Sequence, residues 1–302
     1  MAATTLILDV RHKPPDFVVP RNACDCHVHV FGPQARYPLW SGRVYTPQDA
    51  SLAQLNELHR ALHIDRVVVV HPSPYGADNA VTVDAVRALG SRARGVAVID
   101  EATTDAMLAE MHEAGVRGVR VNLESSGESD PAVARQKLQW AAARVAPLRW
   151  HVQTYARLPV IAALHDAIMA LPVTLVIDHF GRAEAALGPD QPGLDRIYAQ
   201  LRSGKIYVKI SGAYRISTAA DYADAAPIAR AMIAANPDRI VWGTDWPHPA
   251  GGKARLTRDL SMPEAFRPED DGAALNRLNG WCDSRDQLEK ILVGNPAALY
   301  GF

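Results

Sequence analysis

The stretch Ala23-Cys24-Asp25-Cys26-His27-Val28-His29-Val30 decides how the rest of this sequence is read. Side chains on a strand alternate between its two faces, so Asp25, His27 and His29 share one parity and Cys24, Cys26, Val28 and Val30 the other. In a barrel the apolar parity faces the surrounding helices, which turns one carboxylate and two imidazoles inward. Polar groups buried there cost free energy unless they are paired or coordinate something. Imidazoles at i and i+2 can aim at one point, and so share a metal ion, with zinc the usual partner, or a substrate oxygen. Two core histidines bonded to backbone carbonyls are the alternative. Cys24 and Cys26 have a CxC spacing, but their parity assigns them to packing against the helices.

Seven further β-rich runs follow, at 64–71, 94–99, 116–123, 149–155, 174–179, 206–211 and 239–245. Helical patterns separate them at 52–62, 79–89, 105–113, 132–145, 159–170 and 222–235. Strand and helix alternate throughout, and eight such units in 302 residues fit a single-domain α/β fold, a closed (β/α)8 TIM barrel. Residues 1–21 read as an N-terminal extension. Two stretches leave the pattern: a loop over 31–50 rich in Pro, Tyr and Trp, and a polar loop insertion over 249–283 after the eighth strand. Both follow strand C-termini, the face where barrel enzymes build their sites.

Composition excludes several classes. With 48% hydrophobic residues, a chain of this length buries roughly 75% of its unfolded surface without disulfide or metal staples. The 32 basic and 33 acidic side chains leave a formal charge of -1, so nothing marks a nucleic-acid or anionic-membrane partner. No run approaches the roughly 20 apolar residues of a membrane span, and Arg11, His12 and Lys13 end the short apolar run before them. The reading is a soluble, cytoplasmic protein. Three cysteines, Cys24, Cys26 and Cys282, make no disulfide framework, in keeping with a reducing compartment.

Other strand tips carry the same chemistry. The fifth run puts His151, Gln153 and Tyr155 on one parity, the sixth ends in His179 and the eighth in Asp245. A carboxylate with three imidazoles can deprotonate water and polarise a carbonyl, the two operations hydrolysis needs. Arg120 shares its parity with Gly118 and Asn122, and Arg215 follows the seventh strand. Each can grip a carboxylate with its guanidinium fork or pair with a loop acid. Lys209 interrupts an apolar strand at an inward position and reads either as an ion-paired core lysine or as a site residue.

The segments Cys24-Asp25-Cys26-His27-Val28-His29-Val30-Phe31-Gly32-Pro33, Gly118-Val119-Arg120, Asp178-His179-Phe180-Gly181-Arg182 and Trp242-Gly243-Thr244-Asp245-Trp246-Pro247-His248-Pro249, with the ending Asn295-Pro296-Ala297-Ala298-Leu299-Tyr300-Gly301-Phe302, resemble the amidohydrolase superfamily. The likeness runs from about Asn22 onward and is strongest to the branch containing 2-pyrone-4,6-dicarboxylate lactonase. It implies a distorted TIM barrel in which Asp245 activates water while His27, His29 and His179 stabilise the oxyanion, directly or through a metal. It also implies an anionic lactone from aromatic or sugar-acid catabolism, bound by Tyr45, Ser73, Arg120, Tyr155 and Arg215, to which His151 and Arg182 are added. That lactonase is understood to work without metal, whereas other members bind zinc through the corresponding residues. The expectation is therefore a hydrolase with no required cofactor. A divalent metal, if bound, would lie on His27, His29, His179 and Asp245. Asn122 leads into Leu123-Glu124-Ser125 where the lactonase has further basic residues, so one carboxylate clamp is missing and the pyrone dicarboxylate itself is disfavoured. A zinc-dependent decarboxylase of the same superfamily and a non-catalytic binding barrel are the competing readings.

Overall fold

A computed structural model describes residues 5–125, 127–251 and 259–302. Eight strands form one sheet: β1 (Cys24–Val28), β2 (Arg66–Val70), β3 (Ala93–Ala97), β4 (Val116–Asn122), β5 (His151–Tyr155), β6 (Leu175–Ile177), β7 (Ile206–Ser211) and β8 (Ile240–Gly243). They neighbour one another in chain order and every pairing is parallel. Such strands are covered on both faces, which is why β2 shows no alternation of polar and apolar residues and its run Val67-Val68-Val69-Val70 is apolar throughout. The ring closes just beyond the regular strands, where Asp245 N donates to the His27 carbonyl at 2.8 Å and His29 N to the Trp246 carbonyl at 2.8 Å.

Helices pack outside. The Leu52–Leu62 helix begins with a capping box in which Ser51 and Gln54 satisfy each other's backbone N–H. Leu55, Leu58 and Leu62 face the core. The expected helix over 159–170 is two, Leu158–Ala163 and His165–Met169. Further helices at Leu194–Arg202 and Asp271–Trp281 complete the layer. The second lies inside the stretch expected as a loop insertion. That stretch and the 31–50 loop also meet, since Pro263–Glu264 pairs with Thr46–Pro47. The N-terminal extension contains a hairpin, Thr5–Ile7 against Val10–His12.

The parity expected for β1 holds for only half the strand. Cys24 and Cys26 lie in one apolar cluster with Val68, Val70, Val96, Val176, Tyr207, Val241 and Tyr300, so they fill the barrel interior and do not face the helices. Asp25 points outward, where it meets His59 of the Leu52–Leu62 helix. A register irregularity against β2 separates Asp25 from Val28 and puts two residues, Cys26 and His27, where the ladder has room for one. Beyond it the parity reverses, and His27 and His29 point inward.

Asp25 holds this seam. It accepts from His27 N at 3.1 Å, Thr244 N at 3.0 Å, Thr244 Oγ1 at 2.6 Å and His59 Nε2 at 3.3 Å. The approach of β8 to β1 is close enough that a Cβ on Gly243 would lie 2.6 Å from His27 N and 2.8 Å from His27 Cβ. Gly243→Ala is expected to cost about 1 to 3 kcal/mol in urea unfolding, as overpacking does. Gly280→Ala, in the last turn of the Asp271–Trp281 helix with nothing within 4 Å of its Cβ, should instead be neutral or stabilise by up to about 1 kcal/mol. Equal effects at the two positions would show that the seam tolerates a methyl group.

Candidate active site

The middle of the barrel is a buried ion network. Asp178, at the tip of β6, accepts from Arg120 Nε of β4 at 3.0 Å and from Gln153 Nε2 of β5 at 3.0 Å, both on Oδ2. Its Oδ1 faces His27 Nδ1 at 3.4 Å and Lys209 Nζ at 3.9 Å. Lys209 donates to the Cys26 carbonyl at 2.8 Å and to Gln153 Oε1 at 2.7 Å. It is thus the ion-paired core lysine of the two sequence readings, and burial lowers its pKa to about 8. A buried charge must be compensated, and here two cations share one carboxylate, with the Gln153 amide bridging it to Lys209. Asp178 stays ionised, well below the usual range: burial opposes ionisation, but His27, Arg120 and Lys209 favour it.

Above this layer sit His27, His29, His179 and Asp245, all buried. Strand alternation cannot present both Asp178 and His179. A left-handed turn can, and φ is +50° at His179 and +56° at Phe180. Asp245 is likewise at φ +69°. Gly212 lies against the same cluster, where a Cβ would come within 2.9 Å of Asp245 Oδ2.

Each imidazole has a partner for Nδ1. His29 Nδ1 meets the Val70 carbonyl at 2.7 Å, and His179 Nδ1 meets Ser211 Oγ at 2.9 Å and the Ser211 carbonyl at 3.3 Å. A carbonyl only accepts, so in the neutral rings Nδ1 carries the hydrogen and Nε2 offers a lone pair. His27 differs, because Nδ1 stands between an acceptor, Asp178, and a donor, Lys209 Nζ at 3.5 Å. Burial drives the pKa of His27 and His29 down to about 3 and that of His179 well below its usual value, so the rings are neutral near pH 7.

The Asp245 carboxylate is divided in use. Oδ2 accepts from Tyr214 Oη at 2.7 Å and from Arg215 Nε. Among the described residues Oδ1 has no hydrogen-bond partner, and it faces His27 Nε2 and His29 Nε2, each at 3.7 Å. Burial raises the carboxyl pKa, but Arg215, then His179, His27 and His29, hold it well below the usual range. His27 Nε2, His179 Nε2 and Asp245 Oδ1 are all unpartnered, and these residues offer ligand atoms within 4.8 Å of one another. Such a set fits a divalent metal ion, with His29 beside it, and equally a water that donates to two acceptors.

Around the mouth, the guanidiniums of Arg120, Arg182 and Arg215 lie 5.3, 5.8 and 5.6 Å from the centre of the Tyr155 ring, which itself packs edge-on to His179. Arg182 also donates to the Arg215 carbonyl and pairs with Glu124 at 3.3 Å. Tyr45 is buried in the loop ahead of Thr46–Pro47, and Ser73 sits in the turn Ser73–Tyr75 after β2. His151 does not join them. It shares inward parity with Gln153 and Tyr155 but opens the strand, against Tyr300 at the other end of the barrel. Parity specifies a face, not a depth, and four residues of strand span roughly 13 Å. Sequence reasoning passed over Asp178 and Tyr214. Asp178 follows an all-apolar run, Leu175-Val176-Ile177, in which alternation marks no inward face; Tyr214 lies on a one-turn 3-10 helix, Ala213–Arg215, where no periodicity applies.

A family model described as Amidohydrolase matches residues 24–302. The chain is 37% identical over 293 residues to a 4-sulfomuconolactone hydrolase of Hydrogenophaga intermedia, covering 96% of this chain and 92% of that one. It is also 37% identical over 297 residues to a 2-pyrone-4,6-dicarboxylate hydrolase of Comamonas testosteroni, covering 95% and 92%. A solved structure from Acinetobacter baumannii, described as a probable 2-pyrone-4,6-dicarboxylic acid hydrolase with citric acid bound, superposes with a TM-score of 0.76 at 25% identity, over 93% of this chain and all of that one.

The neutral imidazoles carry a consequence for stability. His27, His29, His71 and His151 all have pKa values near 3, against 6.5 ordinarily, with burial the largest cause. Below pH 6.5 the unfolded chain takes up protons that the folded protein refuses until about pH 3, so stability is intact above 6.5 and falls as pH falls through that window. Each ring contributes up to about 1.4 kcal/mol per pH unit of loss, and the melting temperature should drop by roughly 5 °C or more between pH 7 and pH 5.5. A flat profile in a thermal scan would mean that the folded rings already carry protons.

Proposed function

The chain belongs to the amidohydrolase family, and on that footing we propose that it hydrolyses a lactone bearing one anionic group, in the breakdown of aromatic or sugar acids. The observation that carries this reading is the divided carboxylate of Asp245: one oxygen held by Tyr214 and Arg215, the other unpartnered among imidazole acceptors. A water donating to Asp245 Oδ1 and to a neighbouring Nε2 has its remaining lone pair free to attack. As its oxygen bonds to the lactone carbonyl carbon, its proton passes to Oδ1. Asp245 then returns that proton to the ring oxygen as the C–O bond breaks, which leaves a hydroxy acid and regenerates the carboxylate. A depressed pKa weakens a base, but it ensures that the carboxylate is unprotonated when water arrives.

Neutral His29 and His179, with Nδ1–H committed to carbonyl or hydroxyl oxygens, cannot donate to a developing oxyanion. His27 can, when Lys209 donates to its Nδ1 and the ring hydrogen moves to Nε2. A bound divalent metal would polarise the carbonyl and lower the pKa of a bound water. Turnover is proposed not to require one, because Arg215 already neutralises Asp245 and Lys209 places a second cation beside His27, both of which repel a divalent ion. The relatives at 37% identity are named for hydrolysis of lactones that carry anionic groups. Arg120, Arg182 and Arg215 around Tyr155 are the cations such a group would meet, and Tyr45 and Ser73 are proposed to contact the same substrate.

Asp245→Asn should lower lactone turnover by roughly 100-fold or more while remaining folded, with a reduced melting temperature because Arg215 loses its counter-charge. The wild type should keep its rate after chelation and dialysis. A folded Asp245→Asn enzyme with normal turnover would relocate the base, and activity lost on chelation and restored by zinc would make the metal essential.

Glu124 sets the charge. It pairs with Arg182 and, at 3.3 Å, with Arg157, so it occupies a guanidinium that a second substrate carboxylate would need. Glu124→Gln is expected to shift the ratio of kcat/KM values toward a dianionic over a monoanionic lactone by about tenfold, or about 1.4 kcal/mol. An unchanged ratio would reduce Glu124 to a loop anchor.

A further inference from the structure

The N-terminal end of the barrel is closed on one side and open on the other. Beside β2 and β3, Arg66 and Arg94 are covered: their guanidiniums lie 5.2 and 4.7 Å from the centre of the Phe302 ring, and Arg94 donates to the carbonyls of Tyr300 and Gly301. Beside β5, β7 and β8 there is a cleft of about 350 Å3, within the range of small-molecule sites. Arg149, Trp150, His151, Thr174, Tyr207 and Arg239 line it, with no acidic residue among its walls. Among the described residues neither Arg149 nor Arg239 has a carboxylate within 4.0 Å; the Arg239 guanidinium rests over the Tyr207 ring at 4.8 Å. His151 is only 4% exposed; its ring nitrogens lie against Gly118 of β4 and near the Arg117 carbonyl.

We propose that this cleft is a second binding site, separate from the catalytic mouth, for a small oxyanion such as a dicarboxylate or phosphate. Its polar side chains can donate from two guanidinium forks and from the Tyr207 and Thr174 hydroxyls. Two guanidiniums with no carboxylate among the lining residues describe an anion seat, since guanidinium forks match carboxylate and phosphate oxygens in pairs. The cleft lies across the ion network from Asp245, so an occupant would not compete with the lactone. The inference stands independently of the reaction proposed above.

Calorimetric titration of the full chain with succinate, and separately with inorganic phosphate, tests this against the double variant Arg149→Ala/Arg239→Ala. Both arginines are at the surface, and an unchanged melting temperature checks the fold. The wild type should bind at least one of the probes, and the double variant should bind it at least tenfold more weakly, with kcat and KM for the lactone unchanged. Binding of succinate alone identifies a carboxylate site, and binding of both a general oxyanion site. No heat with either probe in the wild type, or equal affinity in the double variant, overturns the proposal. So does loss of binding accompanied by loss of lactone turnover, which would place the anion at the catalytic mouth.

Discussion

Asp245 is a charge with no exposed surface, and the upper half of the barrel is organised around keeping it so. A lone buried carboxylate would take up a proton rather than bear the desolvation cost. Arg215 and Tyr214 prevent that from one side, while the neutral imidazoles leave the other side polar and uncommitted. The same residue also closes the barrel, since its backbone N–H bonds to the His27 carbonyl. The geometry of the proposed site and closure of the sheet are therefore one constraint, and Asp25 and Gly243 serve both by holding β1 against β8.

Below lies a second buried charge, Asp178, with Arg120, Lys209 and Gln153 as its compensation. Networks of this kind add little net stability against apolar packing, but removing one member strands another and costs about 3 to 5 kcal/mol. Its role is geometric. It locates His27 Nδ1 between a carboxylate and an ammonium, and so leaves open which ring nitrogen bears hydrogen. His29 and His179 have no such freedom. One imidazole is thereby set apart from its neighbours by its surroundings alone.

The strand tips store strain at the candidate site. His179, Phe180, Arg182, Asp245 and His248 all have positive φ, a conformation that costs side-chain-bearing residues roughly 1 kcal/mol or more each. The turn lets Asp178 and His179 point into the same space and sends Arg182 over the mouth. A regular strand would have presented only one of the pair.

The eight strands and most of the surrounding helices were determined by the sequence, because parallel strands covered on both faces are largely apolar runs and their helices amphipathic; Leu194–Arg202 and Asp271–Trp281 were not among those expected. His27, His29, His179 and Asp245 were legible for a related reason: polar residues at the C-terminal ends of such runs have few places to go. Tertiary structure alone decided the rest. The reversal of parity between Asp25 and His27 arises from the approach of Gly243 and Thr244, the latter 219 residues from Asp25 along the chain. His151 was read onto the substrate face, yet the depth of a side chain along the barrel axis depends on where neighbouring strands begin. Arg215, expected to clamp the substrate, also pairs with Asp245 in the folded protein, a contact between the segments that follow β7 and β8 that no alternation along one strand announces. Which of several nearby charges pair is settled by distance in space, and alternation along one strand carries no information about that.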